Sequence, residues 1–145
     1  MPAVFDKLGI RFVYPENWRL DESEAMSGED TVTVYTPDGS FWMVRVLPPG
    51  LDPAMLVDKA LETMRREYQD LDAEPFDDTF GDSDVVGCEM NFYCLDLTNT
   101  AVVKSFQTPQ ATIVVMHQAD DRALVELGQV FDAMTFSLMQ ATIGS

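Results

Sequence analysis

Residues 10–20 read IRFVYPENWRL. Ile10 to Tyr14 form an apolar, β-branched and aromatic run of strand length. Pro15 then removes a ladder donor and stops the strand. The Pro-Glu-Asn that follows is turn chemistry. Trp18 returns a large ring to the interior, where its indole N–H needs a partner. A strand, a hard stop and an aromatic anchor predict a chain whose first secondary structure is β and folds straight back onto the core.

Beyond this stretch, residues 21–30, DESEAMSGED, carry five acids in ten positions and one glycine, and read as an exposed loop. Residues 31–47, TVTVYTPDGSFWMVRVL, hold the clearest hairpin. Val32 and Val34 alternate with Thr31, Thr33 and Tyr35, and Trp42, Val44 and Val46 share a face, so one side is predicted to be core and the other partly wet. Between the strands Pro37 presets φ and Gly39 accepts a positive φ. The Pro-Pro-Gly at 48–50 breaks the sheet. Asp52 then caps a helix with Pro53 in its first turn. Leu56, Ala60, Met64 and Tyr68 recur every four residues, with Val57 and Leu61 beside them, which predicts an amphipathic helix ending near Gln69.

Residues 70–84 contain seven acids and no base, with Phe76 and Phe80 among them, and read as a twisted edge strand with a turn at Gly81-Asp82. Residues 85–119 read as three antiparallel strands with turns at 97–100 (LTNT) and 108–110 (TPQ). Asp120 and Asp121 open a last helix whose stripe is Leu124, Leu127, Phe131, Met134 and Leu138. Gly128 inside it points to a close backbone approach. The order strands, helix, strands, helix predicts an α+β fold, a central antiparallel sheet of about six to seven strands flanked by helices, in one domain spanning 1–145. No internal repeat or low-complexity segment interrupts it.

Composition narrows the function classes. The 145 residues carry 25 acids against nine bases, a net charge of −16, with 46% hydrophobic content. The apolar content is that of a folded protein. The charge repels phosphate backbones and anionic membrane surfaces, so neither nucleic acid nor membrane is an expected partner, whereas a cationic protein is. No apolar run approaches the ~18 residues of a membrane span, and no basic region precedes an apolar one at the N-terminus, so the expectation is a cytoplasmic protein. Cys88 and Cys94 are six apart in a strand pattern, ~20 Å along it, too far to pair with each other and on the same face. They read as buried thiols in a reducing compartment.

The run IRFVYPENW resembles the opening strand of the PsbP-like superfamily, and FDAMTFSL at 131–138 is similar to that family's closing helix. That superfamily includes the photosystem II extrinsic protein, a Ran-binding nuclear-import factor and bacterial lipoproteins. The layout between the two motifs is also similar: a hairpin, a helix after a Pro-rich break, a meander, a last helix. The resemblance implies an α/β/α-type sandwich around an antiparallel sheet. It implies no shared catalytic residue, since members mostly act as binding or assembly factors. The contact residues for Ran or for photosystem II are not identifiable in this chain.

No catalytic constellation stands out. His117 is the one histidine, and no serine sits in a nucleophile-elbow context. No glycine-rich loop precedes a helix, so no phosphate cradle is expected, and no cofactor is implied. Asp77, Asp78, Asp82 and Asp84 cluster around Gly81 and form a weak Ca²⁺ candidate, without the spacing of an EF-hand. Two cysteines and one histidine show no zinc spacing. Trp18, Tyr35, Trp42 and Tyr93 lie on or beside predicted strands and are candidates for a ligand or partner surface. The expected function is therefore a non-enzymatic, acidic protein-binding or assembly module. The alternative is a small-molecule-binding domain with an aromatic-lined pocket between sheet and helix. An unprotected edge strand would also offer a route to a homodimer.

Overall fold

The computed structural model describes residues 2–26 and 28–143. A hairpin of β1 (Pro2–Lys7) and β2 (Ile10–Pro15) precedes β3 (Arg19–Asp21), the one-turn helix α1 (Ser23–Met26), β4 (Thr31–Tyr35), β5 (Phe41–Leu47) and α2 (Pro53–Glu67). Then follow β6 (Asp72–Phe80), β7 (Ser83–Cys94), β8 (Leu97–Gln107), β9 (Thr112–Asp120) and α3 (Asp121–Thr142). β1 and β2 make a two-stranded sheet, and the other seven strands make one antiparallel sheet in the order β3-β4-β5-β9-β8-β7-β6.

The expected α+β sandwich is the one observed, with helices on both sides of the sheet. One side is packed by α3 and the β1–β2 hairpin over Val32, Val34, Trp42, Val44, Val115 and Phe106. The other is packed by α2 over Cys88, Met90, Ala101, Val103, Val114 and Met116. β9, at the centre of the sheet, is buried on both faces, which is why Thr112 to Met116 read as a continuous rather than alternating run.

The opening motif behaves as its chemistry predicts. Trp18 N donates to Pro15 O at 3.0 Å, closing the turn. The Trp18 ring meets Phe131 of α3 edge-on at 5.6 Å. The hairpin is tied to the same helix where Val13 N donates to Ser137 Oγ at 3.1 Å. The β4–β5 turn is held by Asp38, whose carboxylate takes the Thr36 hydroxyl and the Ser40 N–H. The Thr36 hydroxyl, first among the causes, holds the Asp38 carboxyl below the usual carboxylate range. Asp52 caps α2 by accepting from Ala54 N, and Asp120 caps α3 by accepting from Ala123 N.

Four local expectations are corrected. β1 was not anticipated, because Pro2 to Lys7 lack clean alternation; they become a strand by pairing with β2 through a Leu8-Gly9 turn with both φ positive. The acidic loop at 21–30 holds the short helix α1, and β3 pairs with β4 just before it. The β7–β8 turn is Leu95-Asp96, not 97–100: both residues take a positive φ, as a two-residue hairpin turn demands, although neither is the usual Asn or Gly. Gly128 marks no close approach, since a methyl there would meet only Leu124, at 3.9 Å.

Candidate functional site

The half of the sheet made of β6, β7 and β8 is covered on one of its sides only in part. Beneath it lies α2. On the α3 side the helix crosses β9 and the hairpin, covers Val85 of β7 and Phe106 of β8, meets Phe80 edge-on at 5.4 Å through Phe136, and leaves two cross-strand rows facing out beyond them. One row is Glu74–Glu89–Val102, which continues into His117 and Trp42. The next is Phe76–Gly87–Lys104.

Gly87 gives its neighbour room. The Phe76 ring folds over it, and a Cβ at Gly87 would lie 2.2 Å from that ring. Phe76 thereby covers bare backbone, and Lys104 Nζ sits 5.9 Å from the ring centroid. A shallow depression of about 460 Å³ opens here, lined by Glu74, Phe76, Glu89, Val102 and Lys104. Glu74 and Glu89 are direct cross-strand partners, and among the described residues neither makes an ion pair. Like charges directly opposite on a sheet are destabilising. At the rim, α3 begins where the Thr100 hydroxyl bonds the Asp121 carboxylate at 2.7 Å.

His117 marks the boundary between this open floor and the core. Its ring stacks on Phe131 with centroids 4.8 Å apart and planes 15° from parallel, and it is 8% exposed. Burial lowers its pKa to about 4, against the pull of Asp132 and with help from Lys104. A neutral imidazole against a phenyl ring is core packing. Both cysteines belong to the opposite side of the sheet, with Cys88 among the residues under α2 and Cys94 at the Tyr68 hydroxyl. Burial pushes the Cys88 thiol up, away from nucleophilic use.

The structure does not gather the four aromatic candidates on one surface. Trp42 is fully buried, its Nε1 donating to Thr135 Oγ1 at 2.9 Å, and Trp18 is buried against Phe131. Tyr35 points to the other side of the sheet, under the Arg19 guanidinium at 4.4 Å, and Tyr93 stands alone at 73% exposure. The Ca²⁺ candidate is not assembled either. Asp77 and Asp78 alternate across β6, Asp82 is in the turn, and Asp84 faces Thr79. Among the described residues no three acidic, histidine or cysteine side chains converge as a metal would need. Between sheet and α2, Tyr68 and Phe92 stack with centroids 4.2 Å apart, while the groove of about 380 Å³ beside α2 is lined by methionines and aliphatic side chains with Arg45, Lys59 and Thr63. The acidic stretch is legible in the sequence and the depression is not, because nothing local reveals where along the sheet α3 stops covering it. The one available signal was Gly87, a glycine inside a strand pattern.

No described helix is long and apolar enough to cross a membrane. No family model and no curated protein sequence matches the chain. Solved structures do. Cyanobacterial PsbP from Synechocystis sp. PCC 6803 is similar with a TM-score of 0.66 at 12% identity, over 94% of this chain and 90% of that one. A protein of unknown function from Pseudomonas aeruginosa gives 0.53 at 8% identity, over 90% and 91%. LpqN, involved in cell envelope biogenesis of Mycobacterium tuberculosis, gives 0.51 at 19% identity, over 98% and 88%. At these identities the likeness is one of fold, and the fold of this chain is PsbP-like.

Proposed function

We propose that the protein is a non-enzymatic binding module that takes a cationic protein segment on the uncovered, acidic half of its sheet. The observation that carries this reading is the Glu74–Glu89 pair. Two carboxylates held opposite each other on an open face, with no ion pair among the described residues, lower stability, and a positive group supplied by a partner relieves that repulsion. Phe76 offers a flat apolar face beside them, suited to an arginine or lysine side chain. The seven acids at 70–84 extend the same field along β6 and would steer a cationic partner in from solution. Pro75 and the charges of β6 blunt the edge itself against strand addition, so the face rather than the edge is the proposed footprint.

The test is capture from a native lysate at low and moderate salt, with the wild-type protein and the double variant Glu74→Gln, Glu89→Gln as baits. A stoichiometric basic partner, released at moderate salt and not retained by the variant, is the expected result. A partner held equally by both baits moves the footprint elsewhere. Turnover of any substrate that depends on His117 would remove the non-enzymatic reading.

A further inference from the structure

On the opposite side of the sheet, α2 packs over β7, β8 and β9 and leaves a groove of about 380 Å³ toward β5. Its floor is Met43 of β5 with Val114 and Met116 of β9; its wall is Leu56, Ala60 and Met64 of α2. Methionine adapts its shape to what it touches, so this lining accommodates a flexible chain better than a rigid ring. The mouth is cationic. Arg45 rises from β5 beside Val114, its cross-strand partner, and Lys59 comes from α2 across the groove. The protein has 25 acids for nine bases, and Lys7, Arg11, Arg19 and Arg66 each lie by a carboxylate. Arg45 and Lys59, like Arg65, Lys104 and Arg122, make no ion pair among the described residues, and they are the two of these that line one apolar groove. Two cations lining one apolar trough, in a chain of net charge −16, select a ligand with one anionic head and one apolar tail.

From this geometry we infer that the groove binds a single-chain amphiphilic carboxylate, such as a long-chain fatty acid anion. The head lies between Arg45, whose planar fork matches a carboxylate, and Lys59. The tail lies over Met43 and Met116. The volume sits near the lower end of the range for ligand sites, enough for one chain rather than two. An extended peptide finds no free backbone here, because β5 is paired on both sides, to β4 and to β9. A neutral or cationic amphiphile leaves both bases without a counter-charge. This site is independent of the acidic footprint, on the other side of the sheet.

The experiment uses protein labelled on its methionine methyl groups, titrated with dodecanoate below its micelle concentration at physiological salt. The expected result is saturable, one-to-one binding that shifts the methyl signals of Met43, Met64 and Met116. Met134 and Met139, on the buried face of α3 on the other side of the sheet, hold their positions. The double variant Arg45→Gln, Lys59→Gln keeps the free-state spectrum, which shows that it folds, and binds about tenfold more weakly. Dodecyltrimethylammonium binds more weakly than dodecanoate to the wild type. Absence of any shift, shifts at Met134 and Met139 instead, or equal binding of the two head groups would overturn the assignment.

Discussion

At one end of the Glu74–Glu89–Val102–His117–Trp42 row, Trp42 is fully buried, bonded to Thr135 and packed on Phe12 at 4.6 Å. At the other end, Glu74 is exposed opposite Glu89 with nothing above it. One continuous row of a single sheet thus passes from closed core to open, like-charged surface. The difference follows from what crosses the α3 side. The β1–β2 hairpin, the turn after it and α3 bring Phe5, Phe12, Trp18 and Phe131 over β4, β5 and β9, whereas on β6 and β7 the cover reaches Phe80 and Val85 and stops short of Glu74 and Glu89. The closed half fixes the fold and the open half is free to carry charge that a core would not tolerate.

The sharpest contrast comes from substitutions at the two ends. Trp42→Ala is expected to lose about 3–5 kcal/mol in chemical denaturation, because it opens a cavity in the closed half and strands the Thr135 hydroxyl. A loss comparable to that of a surface change would mean that the aromatic cluster is not the organising core.

At the boundary, His117 gives the comparison a pH signature. Its folded pKa, about 4, lies below its ordinary value of 6.5. The unfolded chain therefore binds the proton first, and stability falls as pH drops from about 6.5 toward 4, by as much as about 3 kcal/mol from this group. Acidification also relieves repulsion among the carboxylates, so the measurement is a difference: the wild-type pH profile minus that of His117→Phe. The difference should steepen through that window; a flat one would place the ring in water.

In the open half the effects are smaller. Gly87→Ala drives a methyl into the Phe76 ring, and because that ring is free to swing outward the expected loss is about 1 kcal/mol, accompanied by greater exposure of Phe76. A neutral outcome would mean that Phe76 does not lie over Gly87. Smallest, and of opposite sign, Glu74→Gln should raise stability by about 0.2–1 kcal/mol at low salt, less at high salt, as the like-charge pair is relieved. A loss on this substitution would show a favourable contact for Glu74 and weaken the proposed role of the pair.

What the sequence disclosed divides along the same line. The β4–β5 hairpin, both helix caps, the α3 stripe and the Trp18 anchor rest on contacts within a few residues or on simple periodicity, and each was legible. The seat of β9 between β5 and β8 was not, since it joins strands some seventy residues apart in sequence. With that placement unknown, neither the uncovered rows beside His117 nor the groove beside α2 could be read. The aromatic candidates misled for a related reason. Trp18 and Trp42 are large rings with a polar N–H, and the same properties suit a binding surface and a hydrogen-bonded core; only tertiary contacts, Thr135 for Trp42 and Phe131 for Trp18, separate the two. The Leu95-Asp96 turn is not legible in the sequence because it is imposed by the pairing of β7 with β8 and not by its residues.

The most direct test of the claim that the open half is the binding face is amide hydrogen exchange on the captured complex against the free protein. The account predicts slowed exchange in residues 72–105 of β6, β7 and β8, around Glu74, Gly87 and Glu89, with the β1–β2 hairpin and β3 unchanged. Protection concentrated on the hairpin, β3 or the exposed face of α3, with β6 and β7 unaffected, would contradict it.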